Sequence, residues 1–252
     1  MKKSVKLFAM NSQINDIFTG IKGVIFDYGG TIDSAGDHWS EVIWNAWQKA
    51  DIAVSKGEFR EAYVFAEREL ARVRHILPQH TFADMLLIKM RLELQWLSEH
   101  GLFPPALVEE KAKETADLCY KAAEAHVKEA VPVLNALAEK FPLVLVSNFY
   151  GNIESVLKDF GIYRFFKKII ESAVVGVRKP DPEIFRLGVK ALGKDPKEVL
   201  VVGDSIKKDI LPATSIGCHA VWIKGLPWDP AEESTPPAGV ATIGSLSELI
   251  SK

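Results

Sequence analysis

The sequence predicts an α/β fold: a doubly wound parallel (Rossmann-like) sheet core with an inserted all-α helical bundle. Three observations predict it. Short apolar runs ending in polar residues recur at 21–27 (IKGVIFD), 142–148 (PLVLVSN), 198–205 (EVLVVGDS) and 218–223 (CHAVWI), the pattern of parallel strands buried on both faces. Helix-like stretches separate the later runs, as in βαβ units. Between the first and second runs lie about ninety residues of helical periodicity, where a simple crossover needs only about a dozen.

In chain order, the first strand closes on Asp27 and runs into Gly29-Gly30, a sharp turn. Four helical segments follow, at 39–50, 57–74, 81–100 and 105–127. In the third, Phe82, Met85, Leu86, Leu92 and Trp96 recur at helical spacing, with Lys89 the one polar interruption. Thr81 is a natural cap for its start, and His100-Gly101 suits its end. After the second strand, helices are expected at 151–160, 181–192 and 207–216. An irregular Pro- and Gly-containing loop at 225–239 precedes a last helix at 245–251. The division expected is a core of residues 1–34 and 129–252 with a helical domain of 35–128.

The bulk composition excludes several classes. With 48% hydrophobic and 25% charged residues, the chain has the make-up of an ordinary globular protein. A formal charge of −2 and no basic run give nucleic-acid binding no electrostatic support. Cys119 and Cys218 make no metal pair or disulfide framework and read as small buried apolar residues. The apolar stretch Val5–Met10 is too short for a signal peptide, and no run is long enough to span a membrane. The expected location is cytoplasmic.

In an open parallel sheet, ligands bind beyond the carboxyl ends of the strands. Three strands deliver polar residues to that edge: Asp27; Ser147 and Asn148; Asp204 and Ser205. Lys179 joins them from the loop VRKPDP, where Pro180 and Pro182 hold the chain before a helix. Close carboxylates repel, and an oxygen-only donor set without Cys or His suits Mg²⁺. A carboxylate that attacks a phosphate ester needs neighbouring cations. Mg²⁺ and Lys179 meet that need, while Ser147 and backbone N–H groups cradle the remaining oxygens. Attack by Asp27 would give an aspartyl-phosphate that water hydrolyses. Asp209, one turn past Asp204, is placed to orient the metal or its waters, or to pair with Lys179.

These stretches resemble the four motifs of the haloacid dehalogenase superfamily, in order. FDYGGT (26–31) is similar to the first, VSN (146–148) to the second, KPDPEIF (179–185) to the third and GDSIKKD (203–209) to the fourth. The helical insert resembles that family's C1-type cap. The resemblance implies a hydrolase with Asp27 as nucleophile and metal ligand, Ser147, Asn148 and Lys179 on phosphate, and Asp204 on Mg²⁺. The backbone carbonyl of Gly29 completes the protein ligands, with Thr31, Ser205 and Asp209 in support. The implied partner is a small phosphorylated metabolite.

The departure is Gly29. Most phosphatases of the family carry a second Asp there as general acid and base, and losing such a group costs about 10²–10⁴ in rate. His38 or Asp37 could replace it; against that, Asp37 or Ser40 would cap the first inserted helix and leave His38 at the surface. Ser147 likewise has a plain alternative, capping the helix that follows it. Trp39, Trp44 and Trp47 suit packing, with Trp39 also able to line a pocket. Two further functions stay open. One is a metal-independent 2-haloacid dehalogenase, whose relatives also lack the second Asp. The other is a catalytically weak phosphate-binding or regulatory protein.

Overall fold

A computed structural model describes residues 17–229 and 235–250. The stretch Val5–Met10, residues 230–234 of the irregular loop and residue 251 of the last expected helix lie outside the described residues. Six parallel strands form one sheet in the order β3-β2-β1-β4-β5-β6. They are β1 Gly23–Phe26, β2 Leu143–Ser147, β3 Phe166–Glu171, β4 Val199–Gly203, β5 His219–Ile223 and β6 Ala241–Ile243. The chain builds outward from β1 to β3, then returns to the other side of β1 with β4. That reversal opens a crevice at the carboxyl ends of β1 and β4, where doubly wound sheets hold their ligands.

β1, β2 and β4 are buried throughout, and apolar but for Ser147 at the end of β2, because both faces of the sheet are covered. Val24, Phe26, Leu145 and Val202 belong to one large core shared with the helices of the insert. Ile25, Val146 and Val201 point the other way, into a core closed by Phe185 and Val189.

The insert comprises α1 Trp39–Lys49, α2 Lys56–Arg72, α3 Phe82–Glu99 and α4 Val108–Ala138. Ser55 with Glu58 and Thr81 with Asp84 form capping boxes that start α2 and α3. The N-cap of α1 is His38, whose side chain accepts from the Ser40 N–H, so neither Asp37 nor Ser40 has the expected capping role. α4 is 31 residues long and continues past residue 127 without a break. Ala130, Val133, Leu134 and Leu137 prolong its buried stripe beyond the expected end.

β3 and β6 carry no clear strand signal in the sequence. Lys167 and Lys168 are exposed and interrupt the apolar pattern of β3, as befits an edge strand. β6 has only three residues. Past β2 come α5 Ile153–Asp159, α6 Ser172–Val175 and α7 Glu183–Leu192. After β4 a π-helical turn, Ile206–Ile210, precedes α8 Leu211–Ser215, with Pro212 in its first turn. Leu246–Ile250 form a 3-10 turn rather than an α-helix. Among the described residues no helix is long and apolar enough to cross a membrane.

Candidate active site

Strand register brings the acids together. Asp27 follows β1, and its N–H donates to the Val202 carbonyl of β4 at 3.0 Å, which sets it beside the end of the strand that delivers Asp204. Asp27, Asp204 and Asp209 each offer a carboxylate oxygen within 4.8 Å of the others. Gly30 makes this approach possible. Its φ of +92° suits glycine, and a Cβ there would sit 2.4 Å from the Asp204 carboxylate. Gly203 is similarly pressed, since a Cβ would meet that of Asp209 at 2.4 Å.

Lys179 lies inside the acid cluster, only 3% exposed. Its ammonium donates to Asp209 Oδ1 at 2.6 Å and pairs with Asp27 Oδ1 at 2.7 Å. Burial alone would lower its proton affinity, but Asp209 and Asp27 outweigh burial and hold it above the ordinary lysine value. Asn148 fixes the Lys179 loop from both ends of its amide, donating to the Lys179 carbonyl at 3.1 Å and accepting from its N–H at 2.9 Å. The side chain expected on phosphate thus engages the lysine's peptide group.

The remaining expected residues lie in the same place. Thr31 Oγ1 donates to Asp204 Oδ1 at 3.1 Å. The Ser205 N–H donates to Asp209 Oδ2 at 3.0 Å, while its hydroxyl accepts from the Lys208 N–H at 3.1 Å and caps the π-turn. That turn aims Asp209 back at both Ser205 and Lys179, a common use of π geometry at functional sites. Ser147 ends β2 and is buried against the cavity, and α5 starts only at Ile153 with Asn152 as N-cap, so Ser147 does not cap it. Gly29 lines the cavity too.

Among the described residues one ammonium sits within this group of three carboxylates, and the imbalance appears in the proton affinities of Asp204 and Asp209. Burial, then Asp209 and Asp27, push Asp204 well above the usual carboxylate range. Burial and Asp27 raise Asp209 to about 6 despite Lys179. An all-oxygen cluster with excess negative charge fits a hard divalent cation, whose charge would offset that excess.

The cluster opens into a cavity of about 1010 Å³, floored by the strand ends and roofed by α1, α2 and α3. Trp39, Phe82, Met85 and Phe149 supply apolar wall, so Trp39 both packs and lines the pocket. Trp44 and Trp47 pack on Phe59. His38 is not a surface residue: it lines the cavity, and burial, then Lys208 and Lys89, lower its pKa to about 4. Asp37 instead accepts from the Leu226 N–H at 2.7 Å, tying the loop after β5 to the insert.

Two site features escaped the sequence. Asp33 is buried, accepts from the Gly30 N–H at 2.8 Å and from Trp39 Nε1 at 2.9 Å, and is raised by burial to about 7. It holds the turn after β1 against α1. The other is the roof pair Glu67–Lys89. Lys89 was visible as a lone charge in an apolar stripe; nothing in the sequence pointed to its partner on α2.

Residues 21–217 match the family described as haloacid dehalogenase-like hydrolase. The chain is similar to phosphoserine phosphatase of Thermus thermophilus, 40% identical over 91 residues, covering 35% of this chain and 34% of that protein. It is also similar to the pyrimidine 5'-nucleotidase YjjG of Escherichia coli, 28% identical over 159 residues, with 61% and 66% covered. The aligned stretches thus span from about a third to just under two thirds of these relatives. Its fold is like that of a 2-haloacid dehalogenase from Pseudomonas syringae pv. Tomato DC3000. The TM-score there is 0.52 at 22% identity, with 91% of this chain and 96% of that one covered.

Proposed function

We propose an activity for this chain, which belongs to the haloacid dehalogenase-like hydrolase family: Mg²⁺-dependent hydrolysis of a small phosphorylated metabolite. The observation that carries it is the packing of Asp204 and Asp209 beside Asp27 around a single ammonium. A cluster so short of positive charge favours a divalent cation, its oxygen donors suit Mg²⁺, and the bound ion would then draw in the anionic ester. Asp27, Asp204 and the Gly29 carbonyl would hold the ion, which when bound supplies charge stabilisation for the transferring phosphoryl group.

The chain's own residues do the rest. Lys179 and the Tyr28 N–H both bind Asp27 Oδ1, at 2.7 Å each, leaving Oδ2 to form the bond to phosphorus. The ester P–O bond breaks, the alcohol departs with a proton, and water then attacks the aspartyl-phosphate to restore the carboxylate. Lys179 and the Ser147 hydroxyl bind phosphoryl oxygens. Gly29 can relay no proton, so the leaving group takes one from cavity water, and slow turnover follows. Helices α1–α4 act as a cap that limits water and selects substrate size. The names of the phosphatase and nucleotidase relatives agree with this reading.

The test is phosphate release from p-nitrophenyl phosphate with and without Mg²⁺. Activity is expected with the metal, lost on chelation and lost in Asp27→Asn. Gly29 also favours a second reading, dehalogenation by Asp27 attack on carbon. Halide release from a 2-haloacid that persists with chelator, together with no phosphate release, would establish that reading instead.

A further inference from the structure

The roof of the cavity carries a polar pair that the phosphoryl chemistry does not use. Glu67 Oε1 receives two donors, the Lys89 ammonium and the Tyr150 hydroxyl, the latter at 2.9 Å. Lys89 is 4% exposed and its ammonium lies 4.2 Å from the Tyr63 ring centroid, so that charge is committed. The Glu67 side chain is 38% exposed and lines the cavity, and both described donors sit on Oε1, so neither of them occupies Oε2. Lys89 and the Tyr150 hydroxyl overcome the effect of burial and keep Glu67 below the ordinary glutamate range, so it is an anionic acceptor rather than an acid.

Elsewhere on the lining of the same cavity, the His38 tautomer follows from its own cap bond. Nδ1 accepts from the Ser40 N–H at 3.2 Å, which puts the ring proton on Nε2 and makes a neutral donor of that atom. His38 and Glu67 both line the cavity that contains Asp27.

We propose that Glu67 and His38 form the leaving-group end of this cavity. There they select phosphate esters of neutral or cationic polyols and amino alcohols over esters of carboxylic acids. A hydroxyl or ammonium donates to Glu67 Oε2, and a hydroxyl oxygen accepts from His38 Nε2. A carboxylate in the same place meets that fixed anion and is rejected by repulsion. The proposal rests on the phosphatase reading and adds to it the chemical class of the alcohol.

The experiment uses the full chain with Mg²⁺ and a matched pair of six-carbon esters. Sorbitol 6-phosphate and 6-phosphogluconate differ only by a terminal CH₂OH against a carboxylate. The ratio of kcat/KM is expected to favour the polyol and to shrink about 10- to 100-fold in Glu67→Gln, the value of one charge-assisted hydrogen bond. Glu67→Gln strands a buried ammonium, so Glu67→Gln/Lys89→Met serves as the second variant, neutral at both positions, with the same expected loss of preference. A ratio unchanged in a variant that still releases phosphate overturns this inference alone. Absence of phosphate release from every ester by the unaltered chain overturns the phosphatase reading itself.

Discussion

At residue 29, lack of space does not explain the missing carboxylate. A Cβ built on Gly29 would find nothing nearer than 3.8 Å, the Trp39 ring. A Cβ is therefore accommodated, and with Gly29→Asp kcat for an alkyl ester such as glycerol 3-phosphate, whose alkoxide needs a proton to leave, is expected to rise by about 10²–10⁴, the usual worth of a general acid–base group. One residue on, the opposite holds: Gly30→Ala drives a methyl into Asp204 at φ +92° and should remove most activity. Two neighbouring glycines thus answer the same kinetic assay in opposite directions. If Gly29→Asp left kcat unchanged, proton transfer to the leaving group would not limit the reaction. Asp27, Ser147, Lys179 and Asp204 were legible in the sequence because three of them lie at or just past a strand end, and Lys179 lies in the Pro-framed loop before a helix, each inside a local motif. Glu67 was not, because its partners Lys89 and Tyr150 lie 22 and 83 residues away and only packing joins them.

Among the elements, α3 contains the strongest internal conflict. Glu93 is fully buried, and neither of its side-chain oxygens has a hydrogen-bond partner among the described residues. Burial raises it to about 8, with Lys89 only partly compensating. The sign follows from proton binding: between an ordinary glutamate value and about 8, the folded chain holds a proton that the unfolded chain has lost. Stability therefore falls as pH rises across that window. Glu93→Met removes both the titration and the orphaned oxygens, and its melting temperature is expected to exceed the parent's by several degrees, with a larger margin at pH 9 than at pH 5. A margin that did not grow with pH would show that Glu93 does not titrate in that range. The helical pattern of α3 was readable because its apolar stripe dominates; the burial of Glu93 was not, since a single acid at that spacing reads as solvated. β3 was hidden for the reverse reason, two exposed lysines at a sheet edge masking a strand. His38 was misjudged because imidazole is an uncommon cap, and its enclosure by Tyr63 and Trp228 depends on a loop about 190 residues away, an order of separation at which contact is set by tertiary packing.

For the whole molecule, the sheet's switch point places function against stability. Strand order forces Asp204 beside Asp27, and burial together with its acidic neighbours raises its proton affinity in the folded state. As pH rises above the ordinary aspartate range, the unfolded chain releases that proton more readily than the folded one, so this carboxylate makes folding less favourable. Asp204→Asn should accordingly melt above the parent at pH 8 in the presence of chelator. Mg²⁺ reverses the order, because an ion that binds only the folded state stabilises it by about 2.7 kcal/mol at a concentration of 100 times Kd. For a chain of this size that is a rise of roughly 5–10 °C, and Asp204→Asn should lose most of it. The increment should also be larger at pH 8 than at pH 5.5, since the ion must displace protons from Asp204 and from Asp209, which is raised to about 6. Calorimetric melts of both proteins at the two pH values, with Mg²⁺ and with chelator, check the prediction. If the parent's melting temperature did not respond to Mg²⁺ at either pH, the charge imbalance around Lys179 would have to be met by protons alone, and the metal-dependent chemistry would fall with it.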